Sequence, residues 1–109
     1  MLWKKELLFT ITCNSRYSDG TERSYLMRVT SDYEFAKDLM QTIYDEAEQN
    51  VETKFGTYSD PKWLDDNHRT IQVTNTCHCL GIKQVVTEVY TLNDEWNFNI
   101  YSKNGSILS

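Results

Sequence analysis

The chain has few residues that interrupt helices and strands: its 109 residues include one proline and four glycines. That composition excludes a flexible linker, and the 39% hydrophobic and 13% aromatic content predicts a single folded domain over residues 1–109. No apolar run approaches the roughly 20 residues that cross a bilayer, and the apolar stretch near the start is too short for an export signal. We therefore expect a cytoplasmic protein with no membrane partner.

Cysteines are also few, and their odd number predicts free thiols in a reducing compartment. In an extended strand Cys77 and Cys79 point one way and His78 points the other, so these three cannot bind one metal ion without a bend. The two-residue spacer typical of zinc sites is absent. A small zinc-binding module that uses Cys13, Cys77 and Cys79 stays open as an alternative to small buried side chains.

Catalytic signatures are missing as well. The sequence holds no glycine-rich phosphate loop, no Gly-x-Ser-x-Gly elbow and no His-Glu-x-x-His pair. The run from Asp65 to His68 offers carboxylates and an imidazole, but a metal or acid–base site needs further ligands. We expect no enzyme, no catalytic residue, no metal and no cofactor.

What the sequence does contain is clear strand periodicity. Leu7–Cys13 and Tyr25–Thr30 alternate with period two, and residues 18–21 between them have turn chemistry, which predicts a hairpin. Further strands are predicted over residues 71–79, 84–92 and 96–101, with a turn at Asn93-Asp94, and the tail from Lys103 is expected to add at most a short edge piece.

A long amphipathic helix is predicted from Ser31 to Gly56. Ser31 with Glu34 three residues later forms a capping box, and Gly56 is a plausible stop. After it, Asp60-Pro61 resembles an N-cap followed by proline at the first helical position, which predicts a short second helix through residues 62–65.

The predicted order is β-β-α-(short α)-β-β-β. It indicates an α+β fold, an antiparallel sheet of about five strands with the long helix packed on one face. Helix residues 35, 39, 43 and 47 are expected to pack on the sheet, and the other sheet face is expected to be solvated, with Thr10, Thr12, Asn97 and Asn99 on it. The predicted sheet side of that core comprises Phe9, Ile11, Tyr25, Met27, Val29, Trp96 and Phe98, covered by Phe35, Leu39, Ile43 and Ala47.

The excess negative charge is concentrated on the long helix. Residues 32–55 hold seven of the 16 acidic residues and two of the 11 basic ones, which leaves the rest of the chain neutral and gives the net charge of −5. At 100° per residue, one line of polar side chains stays within roughly 40° of a common direction. Its members are Glu34, Asp38, Gln41, Asp45, Glu48 and Glu52.

No base lies on this line, although pairs of opposite charge would stabilise a helix. Repulsion between its neighbours sums to about 1 kcal/mol, which a fold tolerates but which stability alone does not favour. The alternative is an ordinary solvated helix face. As a contact surface, the line would bind a basic partner through Glu34, Asp38, Asp45, Glu48 and Glu52, with Tyr44 on its flank as an anchor.

In size and charge the chain resembles small acidic inhibitor proteins, a group that includes phage anti-CRISPRs and immunity proteins against nuclease toxins. The resemblance is one of composition. It implies a non-enzymatic inhibitor whose acidic helix face docks on a basic nuclease or other nucleic-acid-binding effector, without touching nucleic acid itself. A self-associating structural or accessory subunit, for example a homodimer joined at a sheet edge, is the second alternative.

Overall fold

One helix packs against a curled antiparallel sheet of six strands. The computed structural model describes residues 6–79 and 81–97 of the chain. The α+β class and the single helix on one sheet face are confirmed, but two strands, β3 and β4, form where the end of the helix and a short second helix were predicted. The elements are β1 (Glu6–Tyr17), β2 (Glu22–Thr30), α1 (Tyr33–Glu48), β3 (Glu52–Thr53), β4 (Gly56–Trp63), β5 (Thr70–Cys79) and β6 (Ile82–Asn97).

The strand order is β2-β1-β6-β5-β4-β3, and every neighbouring pair is antiparallel. Helix α1 therefore carries the chain from the β2 edge of the sheet to the β3 edge. From there β3 to β6 return as a meander. Strand β6 pairs with the full length of β1, from Glu6↔Asn97 to Tyr17↔Val86. This long central pair fixes which side chains face the helix.

The core lies between α1 and the inward side chains of the central strands. Ile11, Cys13, Ile71, Val73 and Ala36 are fully buried, and Leu39 and Ile43 are packed against this core. Inward residues recur at every second position of each strand and at steps of three and four along the helix, as the sequence periodicity predicted. The remaining buried members of the cluster are Phe9, Met40, Ala47, Tyr90 and Leu92.

Both predicted ends of the helix are wrong. Asp32, not Ser31, is the N-cap, and its Oδ1 accepts the backbone N–H of Phe35 at 3.1 Å. At the other end Asn50 takes a left-handed φ of 54°. The N–H groups of Asn50 and Val51 then close back on the helix, donating to the carbonyls of residues 47 and 46, so the helix ends in a Schellman motif several residues before Gly56.

The Asp60-Pro61 pair is a bulge within β4 and does not begin a helix. Asp60 has a φ of 53°, and the β4–β5 register shifts between Ser59 and Lys62. A bulge tolerates a proline because the bulged residues leave the hydrogen-bond ladder. The same local residues fit a helix N-cap, and pairing with β5 decides between the two.

The predicted turn at Asn93-Asp94 is also wrong, because β6 continues through both residues while it pairs with β1. Asp94 is held there by an ion pair with Arg69 at 2.7 Å. The strand predicted over 96–101 is therefore the end of β6 as far as Asn97. Predictions for Phe98, Asn99, Ile100 and the tail, and for the side chains of Cys79 and Asn97, lie outside what the structure describes.

Several predicted core residues are exposed. A bulge in β2 leaves Met27 without a β1 partner, so Val29 pairs with Thr10 and faces away from the helix. Met27 is 43% exposed. Phe35 is 41% exposed, because it lies about 100° around the helix from the buried Ala36. Trp96 is 55% exposed and pairs with Leu7 near the far end of β1.

The outer sheet face is less solvated than predicted. Leu8 and Thr10 are buried there, and Thr12 is half-buried. In the described residues, α1 is too short and too polar to be a membrane-spanning helix.

Candidate functional site

The outer side of α1 carries four carboxylates, all of them exposed, which we call the acidic face: Glu34, Asp38, Asp45 and Glu48. Gln41 lies within this line and donates a hydrogen bond from Nε2 to Asp45 Oδ1 at 2.9 Å. The line is about 21 Å long at 1.5 Å per residue. Glu52, predicted as its fifth carboxylate, is exposed but lies in β3, so the helical line stops at Glu48.

Among the residues that the structure describes, no ion pair neutralises the acidic face. Arg16 pairs with Glu22 at 2.9 Å, and Arg69 pairs with Asp94, both away from the outer side of α1. Lys37 is exposed next to the acidic face. Over residues 6–79 and 81–97 no ion pair involves a carboxylate of this face, so its negative charge is presented to solvent.

The helix ends show that these charges are not arranged for helix stability. Glu34 in the first turn interacts favourably with the positive end of the helix dipole. The last turn holds Asp45, Glu46 and Glu48 and no base, so three carboxylates lie at the negative end of the dipole. That arrangement costs stability unless something outside the chain offsets it.

Tyr44, the predicted anchor, is half-buried in a stack of rings beside the acidic face. Its ring lies parallel to Trp63 with centroids 5.4 Å apart, and Trp63 stacks in turn on His68 at 4.2 Å. The stack fastens the helix to β4 and to the loop after it. Tyr44 therefore borders the acidic face as part of a rigid ring stack rather than as a free side chain.

The strand register separates two of the three cysteines named in the zinc alternative. Cys13 lies across β6 from Ile71, while Cys77 is six residues farther along β5, roughly 20 Å at 3.3 Å per residue. Among the described residues, no three His, Cys, Asp or Glu side chains converge in a way that could hold a metal ion. Cys13 is buried in the core, as expected for a small apolar side chain.

The Asp65–His68 segment is a structural turn. Asp65 Oδ1 accepts the backbone N–H groups of Arg69 and Thr70, each at 2.9 Å. His68 has a φ of 56° and stacks on Trp63. Asp65 therefore orders the β4–β5 connection.

A cleft on the inner sheet face is the feature that the sequence did not predict. Helix α1 covers only part of this face, and beside its C-terminal half an open cleft of about 580 Å³ remains. A smaller hollow of about 190 Å³ adjoins it under Ile43 and Glu46 of the helix. Five aromatic rings and one acid characterise the cleft: Tyr17, Tyr25, Phe55, Tyr58, Tyr90 and Glu88.

The acid on the floor of the cleft is buried. Glu88 is 7% exposed, and the Tyr90 hydroxyl donates to its Oε1 at 2.7 Å. Ser15, which pairs with Glu88 across β1 and β6, is also buried and lies near the Cys13 thiol, with Oγ and Sγ 3.7 Å apart. A carboxylate is thus held among aromatic and small polar groups, and none of the described residues that line the cleft is a base.

Asn75 forms the edge of the cleft below the β3–β4 turn. Its Nδ2 donates to the Phe55 carbonyl at 3.3 Å, and its buried Oδ1 has no hydrogen-bond partner among the described residues. Gly56, with a φ of 130°, packs directly on that oxygen, and a Cβ at this position would collide with it. The amide therefore fixes the turn that carries the Phe55 ring over the cleft.

Three phenols of the cleft and the neighbouring Cys13 thiol have pKa values raised above their ordinary alkaline range. Desolvation raises the pKa of the Tyr25, Tyr58 and Tyr90 phenols, and the neighbouring Glu88 charge raises them further. Burial also raises the pKa of the Cys13 thiol. The phenols are therefore hydrogen-bond donors and neutral rings, not bases.

The cleft could not be found from sequence because its residues come from five strands and a turn. Tyr25 was predicted as core and is 49% exposed in the cleft wall, and Tyr58 lies in β4, a strand that was not predicted. One signal was available: Glu88 alternates in phase with Val86 and Tyr90, so an acid occupies an inward position of a strand.

The acidic face is thus an open helix surface, and the cleft is a concave one on the inner face of the sheet. Comparison with known proteins finds no family model that matches the chain, and no curated protein or solved structure with significant similarity to it.

Proposed function

We propose that this is a small cytoplasmic binding protein that inhibits its partner without catalysis or a cofactor. Its acidic face docks on a basic surface of a nucleic-acid-handling protein, such as a nuclease or another effector. The inhibitor then occupies a groove that nucleic acid would enter, as anti-defence and nuclease-immunity proteins do. The protein contacts neither nucleic acid nor a membrane.

One observation carries the proposal: four exposed carboxylates share one helix side, and no base of the described residues pairs with them. Three acids in the last helical turn lower the stability of the helix. A basic partner offsets this cost, because its charges attract the same carboxylates that repel one another in the free protein.

The mechanism has two parts. The negative potential of the acidic face accelerates encounter with a basic surface, and this steering weakens as salt rises. Contacts at the edge of the face then hold the complex, and the Tyr44–Trp63 stack supplies rigid aromatic surface there. Four carboxylates over about 21 Å are sparser than one charge per roughly 1.7 Å in duplex DNA, so imitation of DNA is partial.

The test is affinity capture from a lysate of the native cell or host with two baits, the natural protein and the double variant Asp45→Lys/Glu48→Lys. A matched control is Asp66→Lys/Glu95→Lys, which makes the same change in net charge at two exposed carboxylates outside the helix. The natural protein and the control should capture a basic nuclease or effector that high salt releases, and the natural protein should inhibit it. Identical captures by all three baits would contradict the proposal.

Self-association is a second candidate function, and the β2 edge favours it. All but the last two residues of this nine-residue edge strand are exposed, and they include the apolar Leu26 at 55%. Arg23 and Arg28 on the same strand act against edge pairing, since charged side chains are a common way to prevent it. Sedimentation over a concentration series decides, because a strict monomer excludes a dimer joined at β2.

A further inference from the structure

The cleft on the inner sheet face has no role in docking through the helix, yet its chemistry is specific. We propose that it binds a small organic cation, an ammonium group carried on an apolar body. The basis is the combination of one buried carboxylate, a surrounding set of aromatic rings and the absence of any base among the lining residues.

The described residues that line the cleft include one carboxylate and no base, and Arg23 and Lys54 lie over the rim rings rather than beside the carboxylate. Glu88 lies on its floor at 7% exposure, and Glu46 lies at the edge of the adjoining hollow. The Tyr90 hydroxyl stabilises Glu88 through a 2.7 Å hydrogen bond but brings no positive charge. A ligand cation would supply a positive charge opposite this carboxylate, in surroundings where water screens the attraction less than at the surface.

The aromatic rings suit an ammonium group, which binds to the negative face of a ring. Two rings at the rim already attract cations of the protein. The Arg23 guanidinium lies 5.8 Å from the centre of the Tyr17 ring, and the Lys54 ammonium lies 5.2 Å from that of Phe55. The raised pKa values of the inner phenols keep the Tyr25, Tyr58 and Tyr90 rings neutral beside the Glu88 carboxylate on the floor, away from the two rim cations.

The dimensions indicate a small molecule and not a protein segment. The volume of about 580 Å³ falls within the range of roughly 300–1,000 Å³ typical of ligand pockets. Phe55 is 65% exposed and Tyr25 is 49% exposed above the buried floor, so the walls present apolar surface to the body of the ligand.

The experiment compares two probes of one shape, the cation 3-hydroxyphenyltrimethylammonium and its uncharged counterpart 3-tert-butylphenol. Binding is followed by nuclear magnetic resonance through the tyrosine ring signals and by calorimetry. The cation should shift the signals of Tyr25, Tyr58 and Tyr90 and should bind at least about tenfold more tightly than the phenol. Equal binding of the two probes, or no binding of the cation at millimolar concentration, overturns the proposal.

Three variants locate the effect. Glu88→Gln keeps an acceptor for the Tyr90 hydroxyl and should weaken binding of the cation about tenfold while leaving the phenol unaffected. Tyr25→Leu removes one half-exposed ring and should weaken it about threefold even if Glu88→Gln folds poorly. Glu95→Gln removes the same charge from an exposed site and should leave binding unchanged. Unchanged binding of the cation by folded Glu88→Gln or by Tyr25→Leu overturns the proposal.

Discussion

The two ends of helix α1 give a sharp test of how its charges act. Glu34 lies in the first turn, where the helix dipole favours a negative charge, and Glu48 is the last helical residue, where the dipole disfavours one. Replacing either with lysine raises the net charge of −5 by the same amount. Any difference between the two variants therefore comes from position and not from total charge.

In Glu48→Lys the dipole interaction changes from unfavourable to favourable, and repulsion from Asp45 three residues earlier becomes attraction. At about 0.3–0.5 kcal/mol for each of these terms, reduced by exposure, the variant gains about 1 kcal/mol of stability, or roughly 4 °C in Tm. In Glu34→Lys a new attraction to Asp38 is offset by repulsion from Lys37. The lost dipole interaction then lowers stability by about 0.5 kcal/mol.

Thermal unfolding followed by circular dichroism measures both variants at low salt and again in about 1 M salt, where the Debye length of roughly 3 Å screens exposed charges. We expect shifts of opposite sign at low salt and smaller shifts at high salt. Shifts of the same sign and size in both variants would refute the reasoning, since only total charge would then matter.

Three further stability predictions follow from the described contacts. Asp32→Ala should lower the free energy of unfolding by about 1 kcal/mol in chemical denaturation, whereas Ser31→Ala should be nearly neutral, because Asp32 caps the helix. A larger loss in Ser31→Ala than in Asp32→Ala would instead support the capping box predicted from the sequence. Gly56→Ala should lower the free energy of unfolding by about 2 kcal/mol or more, and Gly20→Ala by clearly less. Both glycines have a positive φ, but of the two only a Cβ at Gly56 would meet other atoms. Equal losses in the two variants would contradict the close contact at Gly56. Titration of the buried thiol and the cleft phenols should leave the free energy of unfolding unchanged below their ordinary pKa values of 9.0 and 10.0. Above these values the free energy of unfolding should fall as pH rises, since the unfolded chain then loses protons that the folded chain retains. The fall should be smaller in Tyr90→Phe than in the natural protein, and an equal fall would contradict this prediction.

The part of the fold that follows from local patterns could be predicted. The first hairpin turn is one case, where Gly20 has a φ of 91° and Thr21 donates its N–H to Asp19 Oδ1 at 2.8 Å. The position of the helix and its buried stripe are another case, because the 3.6-residue period of a helix and the two-residue period of a strand appear in the order of apolar and polar residues along the chain. The exposed carboxylates of the acidic face were predicted for the same reason, although Asn50 ends the line before Glu52.

What could not be predicted depends on pairing between distant residues. The bulge at Met27 reverses which side chains of β2 face inward, and the bulge at Asp60 keeps β4 extended where the local sequence favours a helix. Tyr58 reaches the cleft because β4 is a strand paired with β5, and Tyr25 reaches it from the part of β2 that precedes the bulge. Local propensity carries no information about such long-range register.

The most direct test of the central claim is the affinity of the captured partner for the natural protein and for Asp45→Lys/Glu48→Lys, measured by titration calorimetry at low salt. We expect the double variant to bind at least about tenfold more weakly, since each reversal replaces an attraction with a repulsion, while its Tm stays the same or rises. Equal affinities for the partner would contradict the claim that the acidic face of α1 is the docking surface.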